Sequence, residues 1–130
     1  MTRDEVLDYL REQAARPFVW GQTDCVQLCA GIIERVRGTR PELPAYDSEI
    51  AAARVLVKLD GIEAAVSSFL GPMRRDRLNC LDGDIVLTSF QGEHGLGVAI
   101  PRVFWVRRTD GGMVPLDMTL ARGYWPCRSF

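Results

Sequence analysis

A chain of 130 residues that is 47% hydrophobic can build one core and is too short for two ordinary domains, so residues 1–130 read as a single domain. Sixteen basic and seventeen acidic side chains nearly cancel and neither sign forms a long block, which removes any general electrostatic pull toward nucleic acid or anionic lipid. No apolar run approaches the roughly 18 residues that span a bilayer, and the charged start Met1-Thr2-Arg3-Asp4-Glu5 reads as a cytoplasmically made chain without an export signal.

Thr2 and Glu5 stand at capping-box spacing and Val6, Leu7, Leu10 and Ala14 recur at helical intervals, predicting a helix from Arg3 to Ala14 that Pro17 ends. Beyond Phe18-Val19-Trp20-Gly21, Thr23 or Asp24 caps a second helix with a wide apolar face at Val26, Cys29, Ile32, Ile33 and Val36, stopped by Gly38. That much apolar surface makes it the central helix. Pro41 and Pro44 mark a loop, and Asp47 or Ser48 caps a third helix through Ala51, Val55, Leu56 and Leu59. Asp60 and Glu63 repeat the capping-box spacing before a short fourth helix through Ala64, Val66, Phe69 and Leu70, closed by Gly71-Pro72. The cluster Arg74, Arg75, Arg77 reads as a solvated loop, with a phosphate-contacting patch as the alternative.

From there the pattern changes to strands: residues 84–88, 96–100 and 103–106, then Met113-Val114-Pro115 after the turn Asp110-Gly111-Gly112, with Tyr124-Trp125 as a last edge segment. Helices first and an antiparallel meander afterwards predict an α+β fold with the helices packed on one face of a small sheet.

Four cysteines, Cys25, Cys29, Cys80 and Cys127, read as reduced thiols. No metal is expected, because Cys25 and Cys29 lack a second paired motif and there is a single histidine, and nothing calls for a cofactor. The first turn of a helix stabilises an anion through its unpaired N–H groups and the positive end of its dipole, which makes Cys25 the candidate nucleophile; a plain buried cysteine is the alternative. Cys29, one turn deeper, reads as core. A thiol hydrolase needs a base, and His94 is the one histidine available, either brought to Cys25 by the sheet or left in a surface turn. Asp24 reads as a helix cap, and Trp20 either lines a groove or fills the core.

Three segments together resemble a family. Pro17-Phe18-Val19-Trp20-Gly21-Gln22-Thr23-Asp24-Cys25 is similar to the aromatic-Gly and Asp-Cys entry of NlpC-type, papain-like cell-wall cysteine peptidases. Gly83-Asp84-Ile85-Val86-Leu87 resembles their Gly-Asp strand, and His94-Gly95-Leu96-Gly97-Val98-Ala99-Ile100 their histidine strand, in the same order and at similar separations. The likeness is nearest to small NlpC-like proteins of phage and prophage tail modules. It implies a papain-like fold and hydrolysis of peptidoglycan stem peptides during wall penetration, through acylation of Cys25 with His94 as base. Trp20, Gly21 and Asp24 would support the site or contact substrate. Phage tail hub or tail-tip proteins would be the partners and a virion tail the location.

Two features depart from the family pattern. His94 stands three residues before Gly97 rather than two, so a regular strand counted from that glycine would turn it to the wrong face unless Gly95 forms a bulge. Residues 103–106 offer no polar side chain to orient the histidine, leaving Arg107 and Asp110 as the nearest polar groups. The alternative function is a catalytically silent tail-tip subunit with Trp105, Tyr124 and Trp125 as interface anchors, unless these aromatics cover the sheet as core residues. An amidase or acyl-transfer activity would use the same pair.

Overall fold

The computed structural model describes residues 1–90 and 93–127; the side chains of Phe90 and Glu93 are outside that description. Four helices, α1 (Arg3–Ala14), α2 (Cys25–Arg37), α3 (Glu49–Lys58) and α4 (Ile62–Leu70), precede five strands, β1 (Ile85–Phe90), β2 (Glu93–Ile100), β3 (Val103–Arg107), β4 (Met113–Asp117) and β5 (Ala121–Trp125). The strands form one antiparallel sheet in the order β4-β3-β2-β1-β5, giving an α+β architecture with the helices ahead of the sheet. Pro115 lies in β4, an edge strand, where its missing N–H removes no inner ladder bond.

The helix ends follow local chemistry. Thr2 and Glu5 close a reciprocal capping box at 3.2 Å each way, and Asp4 and Glu5 sit at the positive end of the α1 dipole. Asp24 caps α2, and Gly38, at φ +80°, ends it in the left-handed conformation that glycine adopts without the Cβ penalty. Ser48 caps α3 by accepting from the Ala51 N–H at 3.1 Å. The capping box expected at Asp60 and Glu63 does not form: Asp60 itself takes φ +62°, Gly61 occupies the cap position, and α4 starts without a side-chain cap.

α2 lies across one face of the sheet. Its Leu28, Cys29, Ile32 and Ile33 form a common core with Ile85 and Leu87 of β1, Leu96, Val98 and Ile100 of β2, and Trp125. α1 is locked to α2 where the Tyr9 hydroxyl donates to the Leu28 carbonyl at 2.6 Å. Gly31 is the residue that admits it, since a Cβ there would lie 2.2 Å from the same oxygen. On the opposite face Val86, Ala99, Phe104 and Tyr124 form a second cluster, and the segment at Arg74 pairs with Tyr124 and covers the β5 edge. Arg77 donates to the carbonyls of Thr119 at 2.9 Å and Ala121 at 3.2 Å, so this member of the basic cluster fastens a loop to the end of the sheet.

Two alternatives left open by the sequence are decided here. Tyr124 and Trp125 are buried rather than exposed anchors: the Trp125 indole is part of the α2-side core and its N–H donates to Ser67 Oγ at 3.0 Å. Arg107 is turned away from β2 and donates to the Gln13 and Arg16 carbonyls, where a cation meets the negative end of α1, while Asp110 pairs with Arg108 at 2.7 Å.

Asp84 of the Gly-Asp strand motif is fully buried and accepts from the backbone of Leu81 at 2.9 Å and Cys127 at 3.0 Å, tying the entry of β1 to the chain beyond β5. Cys127 is buried at that junction, and desolvation pushes its thiol up to about 11. Its folded state therefore holds the proton more tightly than the unfolded chain does. The resulting stabilisation is complete below the ordinary value of 9.0 and is lost as pH rises through 11. Urea unfolding followed from pH 8 to 11.5 is expected to show a fall in stability to which Cys127 contributes on the order of 2 kcal/mol. Cys127→Ala should flatten that part of the slope; an identical slope in the two proteins would refute the assignment.

Candidate active site

The entry to α2 is fixed by two small polar side chains. Thr23 Oγ1 accepts from the Val19 N–H at 2.7 Å and donates to the Pro17 carbonyl at 2.8 Å, folding residues 17–23 back on themselves. Asp24 is 2% exposed and accepts three hydrogen bonds: from the Gly21 N–H at 2.8 Å, the Gln27 N–H at 3.0 Å and the Tyr46 hydroxyl at 3.0 Å. Its carboxylate joins the turn before α2, the first turn of the helix and the loop that leads to α3.

Gly21 is required twice in this arrangement. Its φ of +82° suits glycine, and a Cβ there would sit 2.0 Å from the Tyr46 carbonyl oxygen. Tyr46 is the supporting residue that the sequence did not disclose. A lone tyrosine between Pro44 and the α3 cap carries no periodic signal, and its partner lies 22 positions away. Burial, with the Asp24 carboxylate adding to it, keeps the phenol protonated as a donor.

Cys25 is the first residue of α2 and is half-buried. The Asp24 side chain takes the Gln27 N–H and the Asp24 carbonyl takes that of Leu28, which leaves the N–H groups of Cys25 and Val26 at the helix start. These two, and the N–H of Leu96 on β2, favour the thiolate. Desolvation outweighs them, with the Asp24 charge on its side, and the thiol is pushed above its ordinary value. The helix-end argument anticipated a lowered thiol; the corrected balance leaves Cys25 protonated at neutral pH. Cys29 lies deeper, its sulfur 3.9 Å from the Gly97 carbonyl, and desolvation raises it well above the usual range, as suits an inert core thiol.

His94 is the second residue of β2. The β1–β2 register runs without a break from Ile85 opposite Val98 to Phe90 opposite Glu93, so Gly95 forms no bulge and pairs with Thr88. Leu96, Val98 and Ile100 all face α2, and plain alternation puts His94 on that same face. Counting from the apolar residues gives the right side where counting from Gly97 gave the wrong one. The exposed imidazole and Cys25 line one cavity of about 240 Å³, together with Trp20, Asp24, Tyr46 and Leu96. Trp20 is half-buried and stacks edge-on against Phe18 at 4.9 Å between ring centres. Among the described residues no three His, Cys, Asp or Glu side chains gather in a metal-holding group, and no helix is long and apolar enough to cross a membrane.

The arrangement is a thiol at a helix start, an imidazole on the facing strand, and free N–H groups beside the sulfur. It can attack a carbonyl, move one proton and receive an oxyanion. Residues 2–127 match the family described as Domain of unknown function (DUF6950), and the chain belongs to that family. Comparison with curated proteins finds no match.

Two outcomes are expected. Tyr46→Phe removes one donor from a buried carboxylate and should lower unfolding stability by about 1.5–3 kcal/mol in urea titrations, with Gly21→Ala at least as damaging; unchanged midpoints in both would show that the Asp24 network does not hold the site. Alkylation of Cys25 by iodoacetamide, followed by mass spectrometry across pH, should inflect above the ordinary cysteine value of 9.0. An inflection near neutral pH would mean that the helix end prevails over desolvation.

Proposed function

We propose that the chain is an NlpC-type, papain-like cysteine hydrolase in which Cys25 is the nucleophile and His94 the general base. The observation that carries this reading is the presence of both side chains on the wall of one cavity, one from the start of α2 and the other from the facing strand. Because Cys25 rests as a thiol, the reaction begins with proton transfer rather than from a stored ion pair: Sγ attacks the carbonyl carbon as its proton passes to His94. The N–H groups of Cys25 and Val26, which face the sulfur, would receive the oxyanion. His94 then protonates the leaving group, and water, activated by the same imidazole, releases the acyl group. Asp24, Gly21 and Tyr46 hold the helix start and Trp20 borders the cleft; they support the site without exchanging protons with substrate.

The family resemblance in residues 17–25, 83–87 and 94–100 supplies the setting: cleavage of peptidoglycan peptides by a protein carried at a phage tail tip, docked on tail hub proteins. The upward shift of the thiol favours a second reading, a silent tail subunit that retains the hydrolase architecture. The two separate on purified wall material. A working hydrolase releases new peptide termini detectable by mass spectrometry. Cys25→Ala abolishes the release, and His94→Ala slows it by about 10²–10⁴-fold while leaving the melting temperature in place. Release that survives Cys25→Ala would remove the proposal, and absence of release by the intact protein would leave the silent subunit.

A further inference from the structure

The cavity that Cys25 and His94 share extends well past them between α2, α3 and α4, and its wall is almost wholly apolar. Ala30 and Ile33 of α2, Ala52 and Leu56 of α3, and Ala65 and Val66 of α4 line its inner part. Its two charged lining residues are both acidic, Asp24 and Glu49, and Asp24 is already engaged with three donors. No lysine or arginine lines it among the described residues. Packed interiors close voids larger than a water molecule. Here small alanine side chains on three helices leave one open, and its wall includes the reactive thiol.

We infer that this cavity binds the acyl side of the substrate, and that the group it takes is uncharged and apolar, an alkyl or aryl acyl chain rather than a carboxylate-bearing residue. The inference rests on Cys25 being the nucleophile and goes beyond the stem-peptide setting, whose glutamyl acyl groups carry a carboxylate, to a different substrate class for the same site. A carboxylate entering the inner part of the cavity would lose its water, meet no lysine or arginine among the described lining residues and face Glu49. An apolar chain gains by leaving water for that apolar wall. Apolar cavities of about 150 Å³ stay dry and admit benzene, so by proportion 240 Å³ admits about ten carbon atoms. Chemically, Cys25 Sγ bonds to the acyl carbon while its proton passes through His94 to the departing alkoxide, thiolate or amine, leaving an acyl thioester. Water then adds to that carbonyl, returning a proton to the sulfur and releasing the carboxylic acid.

The test uses the intact chain and a series of p-nitrophenyl esters from acetyl to dodecanoyl, with the hemisuccinyl ester as the charged counterpart of the butanoyl ester. kcat/KM is expected to rise up to about fourfold per added methylene, to level off or fall beyond about ten carbons, and to be at least tenfold lower for hemisuccinyl than for butanoyl. Ala65→Leu, which fills part of the cavity, should move the optimum to shorter chains. Binding is read separately from chemistry on Cys25→Ser protein, where octanamide should raise the melting temperature and acetamide and glutaramate should not. Ester turnover that depends on Cys25 but is indifferent to chain length, with no shift from octanamide, overturns the cavity assignment and leaves the nucleophile standing. A shift from octanamide without turnover of any ester overturns the hydrolase and keeps the cavity as an apolar binding site.

Discussion

Burying a carboxylate without a cation beside it is costly, and at Asp24 the offset comes from hydrogen bonds and the positive end of α2. Gly21, Gln27 and Tyr46 each donate to it within 3.0 Å, from the turn before α2, from the helix itself and from the loop after Gly38. Because these donors belong to three stretches of chain, the carboxylate can be satisfied only when all three are in place, and Cys25 is the next residue. The geometry of the sulfur is thus a by-product of satisfying Asp24. Burial raises the Cys25 thiol and the same charge adds to it, so the group that positions the sulfur also disfavours its ionisation. If Cys25 is the nucleophile, as proposed, an imidazole to accept the thiol proton becomes a requirement of the site.

The sheet meets that requirement through its period of two. β2 enters with His94 and continues through Leu96, Val98 and Ile100 on the helix side, and its register with β1 is unbroken from end to end. Once the three apolar residues are committed to the core against α2, the histidine has no choice of face. The burial that stabilises the domain also sets the face of the proposed base, and no orienting side chain from β3 is needed to choose the side. Arg107 and Asp110, the nearest polar candidates, are engaged elsewhere, with the carbonyls at the end of α1 and with Arg108.

What could be read from the sequence was local. The Thr2–Glu5 box, the Asp24 cap, the Gly38 stop and the alternation in β1 and β2 each lie within a few residues of the feature they specify, and each was legible. Asp60 and Glu63 show the limit of that grammar: the spacing is correct, but Asp60 sits at positive φ and Gly61 takes the cap. Long-range partners left no trace, which is why Tyr46 was invisible and why the Gln13 and Arg16 carbonyls that engage Arg107 were not foreseen. Tyr124 and Trp125 looked like edge aromatics because an edge position says nothing about which faces are covered; the Arg74 segment, Ser67 and the α2 core cover them. The thiol was misjudged for a related reason. A helix dipole can be inferred from a cap, whereas desolvation depends on how closely the sheet approaches.

The molecule divides into two halves of different packing quality, and the division bears on function. α1, α2 and the sheet share a dense core in which Val6, Ile32, Ile85 and Trp125 have no exposed surface. α3 has no buried residue and α4 only Ile62, so these helices stand against α2 across the cavity instead of filling it. Regions with few buried apolar contacts open at lower free energy than cores do. On the proposed function, a substrate chain would pass such a region to reach the half-buried thiol. The dense half would then hold Cys25 and His94 in fixed relation while the α3–α4 side admits and releases the substrate, the distribution of rigidity that a buried reaction centre requires.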